Sequence, residues 1–211
     1  MLHRLVAEAT DDSLRVAIAV GLASVPVSIL LSWNSLSGAA ATGPEFDGLA
    51  FRTALAFDLM RATKLSGPAL VLGCGQGHIP VGLLQRAGKG FELLLADRDL
   101  LALRATAHNL KSHGAQAGRT LVVPVPAALT EHLEPDSLEW LVVNDDPVPG
   151  SEWNQEVLAA ARRLLRPDGK LLVIARSTTV SRLQRAAGGK LSQVAERRMH
   201  GFRASLLRFR R

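Results

Sequence analysis

The sequence predicts an α/β domain whose mostly parallel sheet is covered by helices on both faces. Three observations carry this expectation. From Asp47 onward, short apolar runs alternate with segments of helical spacing. The runs are apolar almost throughout, as in Leu70-Val71-Leu72 and Leu93-Leu94-Leu95-Ala96, rather than alternating polar with apolar. A strand apolar on both sides is buried on both sides, which is how parallel sheets are built. The first run also leads straight into Gly73-Cys74-Gly75-Gln76-Gly77, a Gly-rich passage from strand to helix.

Taken in order, residues 1–45 read as an N-terminal extension. It comprises a short helix, β-rich runs at Leu14–Val20 and Val25–Trp33, and a small, polar linker over Ser35–Pro44. Residues 46–211 read as the main domain. Leu49–Ala62 has helical spacing, with Leu49, Ala56, Leu59 and Met60 on its buried side, and Gly67-Pro68 stops it. A strand at Ala69–Leu72, the glycine turn and a helix at Ile79–Arg86 follow. A second strand, Phe91–Ala96, ends at Asp97. Asp99–His113 reads as a helix with Leu100, Leu103, Ala107 and Leu110 on one face. Strands are expected at Leu121–Val125 and at Leu138–Val143, the latter ending at Asn144. The helix Glu152–Leu165 closes on the turn Arg166-Pro167-Asp168-Gly169, and strand Lys170–Ala175 follows. A helix around Val180–Ala187 leads to two late strands, Leu191–Arg197 and Phe202–Phe209.

Composition narrows the function classes. At 211 residues the chain is long enough for one full core with an appendage. With 47% apolar and 21% charged residues it is globular rather than disordered. The net charge of +6 favours a polyanionic partner, because Lys and Arg neutralise phosphates and release counterions. The excess collects late: after Asp168 the chain is rich in arginine and Glu196 is its one carboxylate side chain. Such a run is either a solvated basic face or a surface for RNA beside the active cleft. The single cysteine, Cys74, excludes an internal disulfide and a cysteine-based zinc site, in keeping with a cytoplasmic location. Val16–Ser32 is uncharged, but it falls short of the roughly 20 residues that a bilayer span needs. Glu8, Asp11 and Asp12 argue against the basic start of a signal peptide, so neither a membrane anchor nor export is expected.

Parallel sheets bind ligands at the carboxyl ends of their strands, where strand order switches. Chemistry is therefore expected at Gly73–Gly77, Asp97 and Asn144. Glycines after the first strand let the backbone approach a ligand with no Cβ in the way. A dinucleotide fingerprint, Gly-x-Gly-x-x-Gly, would need a third glycine where His78 stands, which argues against NAD. Asp97, about 20 residues beyond the glycines, is placed to accept hydrogen bonds from both hydroxyls of a ribose. The plainer reading of Asp97 is a strand-end residue or the N-cap of the next helix. Cys74 reads as a small packing residue rather than a nucleophile. The six histidines show no zinc-ligand spacing, and there is no Gly-x-Ser-x-Gly elbow, so metal and hydrolase chemistry are not expected.

Phe46-Asp47-Gly48-Leu49, Leu70-Val71-Leu72-Gly73-Cys74-Gly75-Gln76-Gly77, Asp97 and Asn109 together resemble the small-domain methyltransferases of class I. The closest resemblance is to those that act on the exocyclic amine of guanine in ribosomal RNA. Leu164–Val173 is similar to that family's last helix and fifth strand, and His200–Ala204 to its closing hairpin. The resemblance implies a Rossmann-like, mostly parallel seven-stranded sheet with an antiparallel C-terminal hairpin. It implies S-adenosylmethionine (SAM) as cofactor, held by Gly73, Cys74, Gly75, Gly77, Asp97 and the adjoining Arg98. It also implies RNA as partner, with Asn144 and Asp145 as catalytic residues. In the family the Asn side chain and the next backbone carbonyl accept the protons of the target amine, while an aromatic ring stacks on the base.

The chain departs from that pattern at three places. Val71 stands where the family has an acidic residue, and Val123-Pro124-Val125-Pro126 lacks the acidic contact to adenine. The motif Asn-Pro-Pro-Phe/Tyr is here Asn144-Asp145-Asp146-Pro147, which leaves Trp140 or Trp153 to supply the ring. A methyltransferase fold that binds RNA or protein without turnover is the alternative that these departures support.

Overall fold

In a computed structural model of the chain, residues 51–61, 63–88 and 90–210 are described. The expected N-terminal helix, its β-rich runs, the linker and Phe46–Leu49 lie outside the described residues. Within them the chain runs α1 (Phe51–Arg61), β1 (Pro68–Leu72), α2 (His78–Arg86), β2 (Glu92–Asp97) and α3 (Leu100–Ser112). It continues through β3 (Arg119–Val122), α4 (Leu129–His132), β4 (Leu138–Val143), α5 (Trp153–Leu164) and β5 (Leu165–Arg176). It ends with α6 (Ser177–Ala186), β6 (Leu191–Met199) and β7 (Phe202–Phe209). The strands form one seven-stranded sheet in the order β3-β2-β1-β4-β5-β7-β6. The pairings from β3 to β5 are parallel, whereas β7 runs antiparallel to both β5 and β6. This is the sheet the resemblance implies.

The continuous apolar runs have a simple cause. Successive side chains of a strand point to opposite faces, and here each face has its own core. Val71, Leu95, Trp140, Val142 and Leu172 belong to one core, with Leu55, Leu59 and Met60 of α1, Leu83 of α2 and Leu103 and Leu110 of α3. Leu70, Leu94, Leu141 and Val173 belong to the other, with Val157, Ala161 and Leu164 of α5 and Val180 and Leu183 of α6. Strand order switches at β1, where β2 lies on one side and β4 on the other. The cleft above that point is where the candidate site lies.

Four details differ from the sequence expectation. Leu100 and Ala107 face outward, and α3 instead buries Ala102, Leu103, Ala105, Thr106, Asn109 and Leu110. The third strand begins earlier and stops at Val122, because Pro124 and Pro126 have no N–H to extend a ladder. A 3-10 turn at Pro126–Ala128 and the short helix α4 follow, and the sequence pattern predicts neither. Arg166–Gly169 is a bulge within β5 rather than a free turn: Leu165 pairs with Leu138, and Lys170 already pairs with Trp140. None of the described helices is long and apolar enough to cross a membrane.

Trp140 is 1% exposed, and the Lys170 ammonium lies 4.6 Å from the centre of its ring. It is the largest fully buried side chain in the sheet. Trp140→Ala should lower unfolding free energy by about 3–5 kcal/mol in a denaturant titration. A loss below about 1 kcal/mol would mean that the β4 core closes over the gap.

Candidate active site

The carboxyl ends of β1, β2 and β4 converge, and backbone hydrogen bonds continue the sheet past the formal strand ends. Gly73 N–H donates to Ala96 O at 2.9 Å, Asn144 N–H to Leu72 O at 2.8 Å, and Val123 N–H to Asp97 O at 2.9 Å. Gly73, Gly75 and Gly77 all have positive φ. Gly73 needs to be glycine twice over. Its φ is +80°, and a Cβ there would lie 2.7 Å from the backbone carbon and oxygen of Asn144 and 2.8 Å from the nitrogen of Asp145. A Cβ on Gly75 would meet nothing within 4 Å, so the turn is open to the cleft at that point.

Asp97 is 7% exposed and organises the turn. Its Oδ2 accepts the Cys74 N–H at 2.7 Å and the Gly75 N–H at 3.3 Å, and its Oδ1 accepts the Asp99 N–H at 2.9 Å. A carboxylate offers roughly four acceptor sites, so capacity for a further donor remains. The N-cap of α3 is Asp99, which accepts the Leu101 N–H at 2.8 Å, and Asp97 is free of that duty. Asn109 is buried in α3 and donates from Nδ2 to Gln76 O at 3.4 Å, tying the helix to the glycine turn. Cys74 is 2% exposed, and burial, reinforced by the Asp97 charge, pushes its thiol well above the usual cysteine range. It is a packing residue, not a nucleophile.

Asn144 stands at the end of β4. Its Nδ2 donates to Gly73 O at 3.1 Å, which fixes the amide orientation and leaves Oδ1 as the acceptor. Oδ1 is buried, with no hydrogen-bond partner among the described residues. Asp145 is half-buried, and its Oδ1 lies 3.5 Å from Nη2 of Arg98, an ion pair that bridges the ends of β2 and β4. Burial raises the Asp145 pKa; the Arg98 charge opposes that rise and the Asp97 charge adds to it. Asp146 pairs with Arg52 at 3.0 Å. Both carboxylates of the motif thus have arginine partners.

The departures from the family pattern have clear places. Val71 is fully buried between Leu95 and Val142, where an acid would sit inside the core. Pro126 is buried at the start of the 3-10 turn. Leu100, Leu101, Val122 and Val125 are exposed around the ends of β2 and β3. They give the rim of these strand ends exposed apolar surface, which had no sequence signal of its own. Trp140 lies near the amino end of β4, away from the cleft, and cannot supply an aromatic platform. Trp153 lines a cavity of about 580 Å³ beside the Asp145–Asp146 loop. Its indole N–H lies close enough to the Asp145 carboxyl to favour that group's ionised form.

The late arginines divide into two groups. Arg197 pairs with Asp58 at 2.8 Å, Arg198 with Glu196, Arg208 with Asp168, and Arg203 is 6% exposed beside Glu196. These arginines are engaged within the fold. Arg182 and Arg185 are exposed and have no ion-pair partner among the described residues.

This fold and cleft define a SAM-dependent methyltransferase. The model of the methyltransferase small domain family matches residues 49–202, and the chain belongs to that family. No curated protein matches the sequence significantly. Among solved structures, the chain is similar to the ribosomal protein L11 methylase of Lactobacillus delbrueckii subsp. bulgaricus. The TM-score is 0.60 at 12% identity, over 76% of this chain and 77% of that one. It is also similar to TrmN of Thermus thermophilus, with TM-score 0.62 and 18% identity, over 74% of this chain and 48% of that one. The TehB-like SAM-dependent methyltransferase of Corynebacterium glutamicum gives TM-score 0.56 and 15% identity, over 86% of this chain and 96% of that one.

Because the Gly73 turn touches the Asn144 backbone, Gly73→Ala should cost about 1–3 kcal/mol of stability from backbone strain alone. It should also weaken binding of S-adenosylhomocysteine in calorimetry. Wild-type stability and affinity together would mean that the β4 loop yields to a methyl group.

Proposed function

We propose that this enzyme methylates the exocyclic amine of a guanine in ribosomal RNA, with Asn144 and Asp145 as its catalytic residues. The observation that carries the proposal is the Asn144 amide, whose Nδ2 donates to Gly73 O and whose acceptor Oδ1 has no partner among the described residues. An amine needs acceptors, and Oδ1, buried at the end of the strand beside the glycine turn, is one that no described group satisfies. The residues present also fit the cofactor. Asp97 has acceptor capacity left for a ribose, Gly75 leaves room over the turn, and the rim of Leu100, Leu101, Val122 and Val125 suits an adenine. Cys74, Gly77 and Arg98 complete the surroundings of that position.

SAM supplies an activated methyl group when bound. The chain's own task is to hold and align. Asn144 Oδ1 and the Asp145 backbone carbonyl accept the two amine protons and turn the nitrogen lone pair outward. Orientation of this kind is worth roughly 7–11 kcal/mol in favourable cases, so no strong general base is required beforehand. The Asp145 carboxylate, on the residue that follows Asn144 and paired with Arg98, can take the proton that methylation releases. The target base must be unpaired or flipped, because a stacked base cannot reach the cleft. Among the described residues, Trp153 supports the reading as a large ring on the cavity beside the motif. The basic balance of the chain supports RNA as the partner.

Asp97→Ala should weaken S-adenosylhomocysteine binding more than tenfold, as hydrogen bonds to charged groups are worth about 1.5–3 kcal/mol. An unchanged affinity in a folded variant would remove Asp97 from the cofactor site.

The decisive measurement is tritiated methyl incorporation from SAM into ribosomal RNA, or into subunits, from cells lacking this protein. Asn144→Ala should cut incorporation at least a hundredfold, in line with the loss of an oriented hydrogen bond at the reacting centre, and spare S-adenosylhomocysteine binding. Asp145→Ala should do less. Incorporation that survives Asn144→Ala would defeat the mechanism, and label found in ribosomal protein alone would defeat the choice of RNA.

A further inference from the structure

The cavity beside the motif has a second wall that the methyl-transfer reading does not use. Its near side is the loop from Asp146 to Ser151, which directly follows Asn144 and Asp145. Its far side is formed by Arg176 at the end of β5 and by Thr178, Thr179 and Arg182 of α6. Residues three and four apart share a helix face, so Arg182 stands one turn above both threonine hydroxyls. The Arg176 guanidinium is held over the Phe202 ring, 5.7 Å from its centre. Neither arginine has a carboxylate partner among the described residues. The one carboxylate on the cavity wall, Asp146, is already paired with Arg52. The first turn of α6 has no capping side chain and no acidic residue. Trp153, 2% exposed, also lines the cavity, and its indole N–H lies near the Asp145 carboxyl.

Two unpaired guanidinium groups, two hydroxyls and an uncapped helix start are all donors, gathered on one wall of a roomy cavity. Such a wall suits an anion with several acceptor oxygens. We infer that it is a phosphate subsite, which grips the RNA phosphodiester adjoining the base presented to Asn144. The inference rests on the RNA reading above and adds how the strand is held. Phosphate contacts position a nucleic acid without reading its sequence. The subsite therefore sets how far the target base reaches into the cleft, while the residues around Asn144 choose the base.

The test uses the full chain and a labelled single-stranded oligouridylate, which has no exocyclic amine, so that backbone binding is read apart from base choice. Anisotropy titrations across a range of KCl concentrations should show Arg176→Gln with Arg182→Gln binding at least tenfold more weakly. The slope of log affinity against log salt should fall by about 0.7 for each phosphate that the variant no longer neutralises. Thr179→Asp separates binding from folding. A carboxylate in the first turn of a helix favours the helix, so the melting temperature should hold or rise while oligouridylate affinity falls at least tenfold. Variants that keep the melting temperature, affinity and salt slope of wild type would overturn the subsite. So would uridine monophosphate or inorganic phosphate displacing the oligonucleotide at equal phosphate concentration, since the site would then be one for small anions. If these residues govern oligouridylate binding but no guanine is methylated, the subsite stands and the guanine reading falls. If guanine methylation persists while the variants bind oligouridylate as wild type does, the subsite alone falls.

Discussion

The arrangement of the site depends on how closely two strand ends approach. Gly73 and Asn144 close adjacent strands, and their backbones lie near enough that a single methyl group on Gly73 would collide with Asn144. The Asn144 side chain crosses the same gap to the Gly73 carbonyl. The glycine turn and Asn144, 71 positions apart in sequence, are thus held together at one point. Because strand order switches at β1, both face the same cleft. A shift in either is transmitted to the other without any intervening side chain.

Around this junction, charge is arranged by pairing. Asp97 gathers backbone N–H groups from its own side and from the glycine turn, which makes the end of β2 part of the turn. Arg98, the next residue, reaches across to Asp145. The acidic loop after β4 would repel a polyanion if it stood alone. Arg98 and Arg52 each match one of its two carboxylates, so the loop presents little net charge to an approaching strand. On the far wall, Arg176 and Arg182 have no carboxylate partner among the described residues.

Much of this was legible in the residues. Continuous apolar runs marked the parallel strands because a two-faced core demands them, and Gly73, Asp97 and Asn144 fell at the strand ends where the sheet gathers them. Trp140 could have been excluded from the sequence, since it stands third in a strand whose ligand end is three residues further on. Other features could not be read this way. Arg203 and Arg182 look alike in sequence, yet one is buried beside Glu196 and the other is exposed over a cavity. The pairing of Arg197 with Asp58 joins β6 to α1, and no local pattern announces it. Ion pairs between distant segments depend on the finished fold, so the share of a basic run left for a partner becomes visible only in three dimensions.

The strand order also has a consequence for how the sheet comes together. β7 lies between β5 and β6, and β6 hydrogen-bonds to no other described strand. On a ribosome the chain would release β6 before the strand that must separate it from β5. Until β7 arrives, β5 has one edge open, and β6 has no ladder to join. Arg197 and Arg198 then lie on a nascent strand, where charge discourages pairing with other chains. In the finished sheet, β6 is joined to the rest only through β7 among the described strands.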